Sequence, residues 1–280
     1  IDLASVSGAS VWLKAGTYRP AKQEDKIAAF ILYDNVKLYG GFSGTESAME
    51  QRRTSGNRSI LSAEVAASKY RYPHVLYGAN NTVLDSLIVR DGNATGFTYQ
   101  GKGGGLLAYH AGKTFLPRDD AVGFAMTIHN CIFEMNTALE GGAIYAFGKA
   151  KLNVTDTSFV RNHAVYGGAV IEREGTTSTY MRSSFNANDA AIDGGAIYAD
   201  YGSHLTINQS RFKKNSAGEH GGAIYEISRA SQLEGTVVTV GQSDFSDNQA
   251  KVGASVYNLD ASTLTIGASK YPPNSIVSPA

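Results

Sequence analysis

Phe133-Glu-Met-Asn136, Phe159-Val-Arg-Asn162, Phe185-Asn-Ala-Asn188, Phe212-Lys-Lys-Asn215 and Phe245-Ser-Asp-Asn248 are one short phrase written five times. Each is followed by a glycine-led phrase: Gly141-Gly-Ala-Ile-Tyr145, Gly167-Gly-Ala-Val-Ile171, Gly194-Gly-Ala-Ile-Tyr198, Gly221-Gly-Ala-Ile-Tyr225 and Gly253-Ala-Ser-Val-Tyr257. A recurrence of about 26 residues means a stacked array, in which each repeat needs its neighbours to bury its apolar face. A further apolar pair precedes several of the phenylalanine phrases, as in Leu152-Asn-Val154, Leu205-Thr-Ile207 and Val238-Thr-Val240. Three short strands per repeat, and no helix, predict an all-β, right-handed parallel β-helix of the pectate-lyase-like kind, one coil per repeat.

Stacking then explains the residue choices. Equivalent side chains of successive coils sit roughly 4.8 Å apart, so the phenylalanines form an internal aromatic column. The asparagines fall at a turn, where they tolerate left-handed backbone and bond to their own copies above and below. The doubled glycines allow a corner where a Cβ would strike the next coil.

Upstream, alternating runs such as Val11-Trp-Leu-Lys14 and Val36-Lys-Leu-Tyr39 end in glycine turns and read as less regular coils. Residues 43–57 form a charged excursion with a weak short-helix signal. We expect one β-helix domain over 1–280: irregular coils over 1–110, an inserted loop at 111–123, regular coils over 124–267 and a tail over 268–280. The chain starts at Ile1 without a signal peptide, and reads as part of a longer exported protein.

The 25 basic and 25 acidic residues cancel, which removes the electrostatic case for nucleic acid. No apolar run is long enough to insert in a membrane as a helix. The one cysteine, Cys131, precedes an apolar Ile-Phe pair and reads as a buried small hydrophobe. No metal-ligand spacing or cofactor motif is present, so neither a metal nor a cofactor is expected.

Two sets of residues remain for function. Strand alternation favours Ile144 and its equivalents pointing inward, which would turn Tyr145, Tyr198, Tyr225 and Tyr257 out as a stacked stripe for a protein or glycan partner. An enzyme on this scaffold would instead need carboxylates clustered on adjacent coils. The candidates are Asp200, between Glu172 and Glu226 of the neighbouring coils, and Asp193, which would stack on His220.

The alternating Phe-x-x-Asn and Gly-Gly-Ala-Ile/Val phrases over 131–257 resemble the paired repeats of the chlamydial polymorphic outer membrane proteins. Upstream, Val11-Trp-Leu-Lys-Ala-Gly-Thr-Tyr18, Val36-Lys-Leu-Tyr-Gly-Gly-Phe-Ser-Gly-Thr-Glu46 and Leu87-Ile-Val-Arg-Asp-Gly-Asn93 are similar to the opening of bacterial β-helix surface proteins. The resemblance implies a secreted or cell-surface bacterial protein, such as an adhesin or autotransporter passenger, whose partner is a host or bacterial surface protein or glycan. It brings no catalytic residue. A polysaccharide lyase or glycoside hydrolase is the alternative, and a structural stalk a third. The chain departs from the pattern at Gly253-Ala254, which lacks the second glycine, and contains no translocator barrel.

Overall fold

A computed structural model describes residues 8–20, 28–56, 58–65, 70–96, 98–108, 125–228, 235–260, 262–273 and 275–278. The 111–123 loop therefore lies outside the described residues, as does half of the extra length that the last regular repeat carries at Gln232–Val237. The chain winds through four all-parallel sheets of nine, eight, five and nine strands. One coil shows the order: Lys151–Thr155 in sheet 1, Ser158–Val160 in sheet 2, His163–Tyr166 in sheet 3 and Val170–Glu172 in sheet 4. This is a parallel β-helix.

The repeat phrases take the places their chemistry requires. Phe133, Phe159, Phe185, Phe212 and Phe245 stack face to face, with ring centroids 4.6–5.4 Å apart, and the first four are sealed from solvent. Each ring contributes roughly 2–3 kcal/mol of burial. Tyr180 of sheet 1 meets Phe159 and Phe185 edge-on, which fixes that side as the lumen.

The asparagine ladder runs the length of the regular coils. Asn136 Nδ2 donates to Asn162 Oδ1 at 3.1 Å, and the relay continues through Asn188 and Asn215 to Asn248 at 2.9–3.0 Å. Each amide also donates to a phenylalanine-row carbonyl, as from Asn188 to Phe159 O at 3.0 Å. One detail differs from expectation. The left-handed residue is the one before each asparagine, namely Met135, Arg161, Ala187, Lys214 and Asp247, with φ of 52–57°. The asparagine is selected for its two-sided amide, and the turn before it accepts almost any side chain because that chain points to water.

In each glycine pair the first residue is left-handed, with φ of 62–69° from Gly141 to Gly221. The second is confined by the next coil: a Cβ on Gly168 would collide with the carbonyl oxygen of Gly195, and one on Gly195 with that of Gly222. The segment read as a tail adds a strand, Ile276–Val277, to sheet 4 against Val256 and Tyr257. The segment 82–90 forms two strands, Thr82–Asp85 and Leu87–Arg90, broken by a corner at Ser86 with φ 60°.

Candidate functional site

Sheet 4 carries most of the side chains singled out for function, and it sorts them onto two faces. Glu172 pairs in register with Ala199, and Ala199 with Glu226. All three share the face of Val170, Ile197 and Ile224, because strand side chains alternate. That face looks into the lumen: Tyr180 Oη donates to Glu172 Oε1 at 2.6 Å. Ala146 and Ala199 alternate with the glutamates and leave room for them.

Both glutamates are fully buried. Burial pushes the Glu172 carboxyl up to about 7, despite the hydrogen bond from Tyr180. Burial pushes Glu226 up to about 8, and the amide of Asn258 in the next coil offsets only part of that cost. These are carboxyls that hold their protons near neutral pH, the usual result of desolvation without a cation.

Asp200 is on the other side of the sheet. Arg173 stacks beneath it and donates Nε to both its carboxylate oxygens at 3.1 Å, and Nη1 to Glu140 at 2.9 Å. Burial opposes the charge on Arg173, but Asp200 and Glu140 outweigh it and hold the guanidinium well above its ordinary value. The expected grouping of Asp200 with Glu172 and Glu226 therefore does not form. Asp200 is on the adjacent coil, but it lies one residue further along the strand than the Glu172–Ala199–Glu226 row, which reverses its direction.

Asp193 and His220 do meet: Nδ1 lies 2.8 Å from Asp193 Oδ1. The pair sits on the outer surface, with the histidine one-third exposed, and belongs to the row of residues preceding the glycine pairs. That row bridges from coil to coil through Lys102, Glu140, Tyr166, Asp193, His220 and Val252.

The same row explains the tyrosines. Tyr145, Tyr198, Tyr225 and Tyr257 face away from the lumen, as the alternation suggests. They are nevertheless 1–8% exposed, so the solvent-facing stripe expected from sequence is a covered one. The left-handed first glycine folds the chain back, and the residues before it lie over the tyrosine rings. Lys102 Nζ donates to Tyr145 Oη at 3.0 Å and sits over its ring. Arg173 lies over Tyr198, Tyr166 meets it edge-on, and the His220 ring is 4.6 Å from that of Tyr257. The rings stack on one another, Tyr198 on Tyr225 at 4.9 Å and Tyr225 on Tyr257 at 5.7 Å. The ladder forms a second, outer core.

Cys131 is buried as expected, and desolvation pushes its thiol up to about 12. Among the described residues, no group of three His, Cys, Asp or Glu side chains is placed to hold a metal ion, and no helix is long and apolar enough to cross a membrane.

A cleft that strand periodicity gives no sign of opens at the corner between sheets 1 and 2, with a volume of about 240 Å³. Its one wall is Thr54 and Ser55 from the 43–57 excursion, with Arg58 just after it; the other is the corner row Ser86, Asn130 and Asp156. The corner residues are left-handed, with φ of 60°, 50° and 52°, which throws their polar side chains outward. Ile88 and Ile132 line the floor. The excursion is not loose. Glu46 gathers the backbone N–H groups of Ser43, Gly44 and Thr45 at 2.7–3.0 Å; with the bond from Ser43 foremost, these hold its carboxyl down at about 2.

Residues 209–225 match the Chlamydia polymorphic membrane protein repeat. The matched segment contains one complete pair of phrases, Phe212-Lys-Lys-Asn215 and Gly221-Gly-Ala-Ile-Tyr225. Neither a curated protein nor a solved structure matches the chain. The chain is a parallel β-helix whose coils resemble the polymorphic membrane protein repeat.

Proposed function

We propose that this chain is a surface-displayed β-helix, of the autotransporter-passenger type, that binds a partner on a host or bacterial surface without transforming it. The match over 209–225 supports display at the cell surface, since the repeat takes its name from membrane proteins of that kind. The observation that carries the non-catalytic part is the sorting of carboxylates. Glu172 and Glu226 are sealed in the lumen, and Asp200 is locked by Arg173 on the opposite face. A glycosidase or lyase needs acidic groups that share one solvent-reached site.

The test is direct. Purified protein is incubated with acidic and neutral polysaccharides, and new reducing ends or unsaturated products are measured beside binding to intact cells. Binding without product is expected. Turnover lost in Asp200→Ala or Asp193→Ala would overturn the reading in favour of an enzyme.

A further inference from the structure

We propose that the cleft at the corner of sheets 1 and 2 binds a single hexuronate ring, a pyranose carrying one carboxylate. This rests on the surface-binding reading above and names the chemistry of its ligand. Size limits the occupant first. The 240 Å³ space falls just below the roughly 300–1,000 Å³ of clefts that hold drug-sized molecules, so it seats one ring of a ligand.

The lining then selects a polyhydroxylated ring. Asn130 and Asp156 stand on adjacent coils, roughly 4.8 Å apart by strand spacing, and offer an amide beside a carboxylate. Side by side they can donate to and accept from neighbouring hydroxyls of one sugar. Both are held in place before any ligand arrives: Asn130 Nδ2 donates to Ser86 Oγ at 3.0 Å, and Arg182 grips both oxygens of Asp156 at 2.7–2.8 Å. Ile88 and Ile132 give the C–H face of the ring an apolar floor.

Charge narrows the class further. Asp156 is already neutralised by Arg182, so the charge that the lining leaves to a ligand is that of Arg58, which makes no ion pair among the described residues. A guanidinium matches a carboxylate with two parallel hydrogen bonds. Arg58 is anchored just ahead of strand Ser59–Ser62, its carbonyl accepting from Gly16 N at 3.0 Å. Its wall is tied down just before Thr54, where Arg53 N donates to Gly41 O at 2.8 Å and Arg52 to Asp85 at 2.9 Å, which lowers the ordering cost of binding.

The full chain is titrated with methyl α-D-galacturonoside and methyl α-D-galactoside, and binding is read by saturation-transfer NMR and calorimetry. The uronoside is expected to bind in the millimolar range and the neutral glycoside about tenfold more weakly, one charge-assisted contact apart. Arg58→Ala should erase that preference, Asn130→Ala should weaken both sugars, and Ile132→Trp, which fills the floor, should abolish both. Circular dichroism confirms that each variant keeps its sheet content. Equal binding of the two sugars, no binding of the uronoside, or uronoside binding untouched by Arg58→Ala and Ile132→Trp would overturn the assignment. Cell binding separates the two levels: if Ile132→Trp still adheres to cells as the parent does, the surface-binding reading stands and the cleft does not serve it. If the parent binds neither cells nor sugar, both fall.

Discussion

The two ends of the corner between sheets 1 and 2 are used in opposite ways. At the junction of sheets 1 and 2, the later coils close the corner on itself. Arg182 grips Asp156, and Gln209 donates to Gln242 at 3.1 Å. Towards the corner's N-terminal end a hydrogen-bonded excursion stands over the same row and leaves Ser86, Asn130 and the near side of Asp156 facing a cleft. The lesson is that repetition consumes chemistry: where every coil matches its neighbour, polar groups satisfy one another and little is left for a ligand. An interruption in the repeat is what frees them.

The sharpest way to break the regular half is at its glycines. A methyl group on Gly195 would meet the carbonyl oxygens of Gly222 and Ser216, both backbone and neither free to retreat. Gly195→Ala is expected to cost about 4 kcal/mol or more, at the destructive end for a single substitution. Thermal melting should show it as a drop in the unfolding midpoint of about 8 °C or beyond, or as insoluble protein. A drop of only a degree or two would mean that adjacent coils can slide apart, and the collision argument would be wrong.

Next in size is the lumen. Phe185 lies between two stacked rings and against Tyr180, so Phe185→Ala should cost about 3–5 kcal/mol through lost burial and the cavity left behind. The same change at Phe245, at the end of the column with a ring on one side only and 4% exposed, should cost distinctly less. Equal losses at both positions, measured by urea denaturation, would deny the column its dependence on neighbours.

These structural roles were legible in sequence because a stack turns one residue's environment into a period. The phenylalanine, asparagine and glycine positions each recur, and each recurrence has one physical reason. The tyrosines were legible in direction and not in exposure: alternation tells which face Tyr198 occupies, but the side chains that cover it, Arg173 and Tyr166, come from other coils and from a fold-back that no period records. Asp200 was misgrouped because register along the strand, and not only coil number, decides the face. Arg58, Asn130 and Asp156 left no signal, since a cleft between a non-repeating excursion and a corner row has no sequence signature at all.

The two buried glutamates give a smaller, pH-dependent handle on the lumen. Below about pH 4.5 both are protonated in the folded and the unfolded chain, and ionisation costs the fold nothing. As pH rises the unfolded chain releases its protons first, so stability falls until the folded groups ionise near 7 for Glu172 and 8 for Glu226. His74 works the other way. Burial holds it down at about 4, so its contribution grows with pH up to its unfolded value near 6.5 and is then constant. Between pH 6.5 and 8, therefore, the slope of these three groups belongs to the glutamates, and Glu226 accounts for about 2 kcal/mol of it at ~1.4 kcal/mol per unit. Melting curves across that window should shift downward for the parent chain, and Glu226→Gln should remove most of the shift and melt higher at pH 8. A parent chain whose midpoint rises from 6.5 to 8 would place the glutamates in water.

The smallest effect is expected at Ala254, the one regular-coil position where the second glycine is absent. The glycine rule follows from the coil above: Gly168, Gly195 and Gly222 each face a backbone oxygen from the next glycine-pair position. Above Gly253-Ala254 lies the short strand Ile276–Val277, with Ser275 O accepting from Ser255 N at 2.8 Å. The last coil already carries a Cβ at this position, and alanine loses less chain entropy on folding than glycine. Ala254→Gly should therefore restore the repeat to its regular form and still destabilise it, by about 0.5–1 kcal/mol. Set beside Gly195→Ala, the pair exchanges the same two residues in opposite directions at equivalent corners, and both changes should destabilise by unequal amounts. A gain in stability from Ala254→Gly would show that the last coil is crowded like the others, and that the glycine requirement comes from the turn itself and not from the neighbour above.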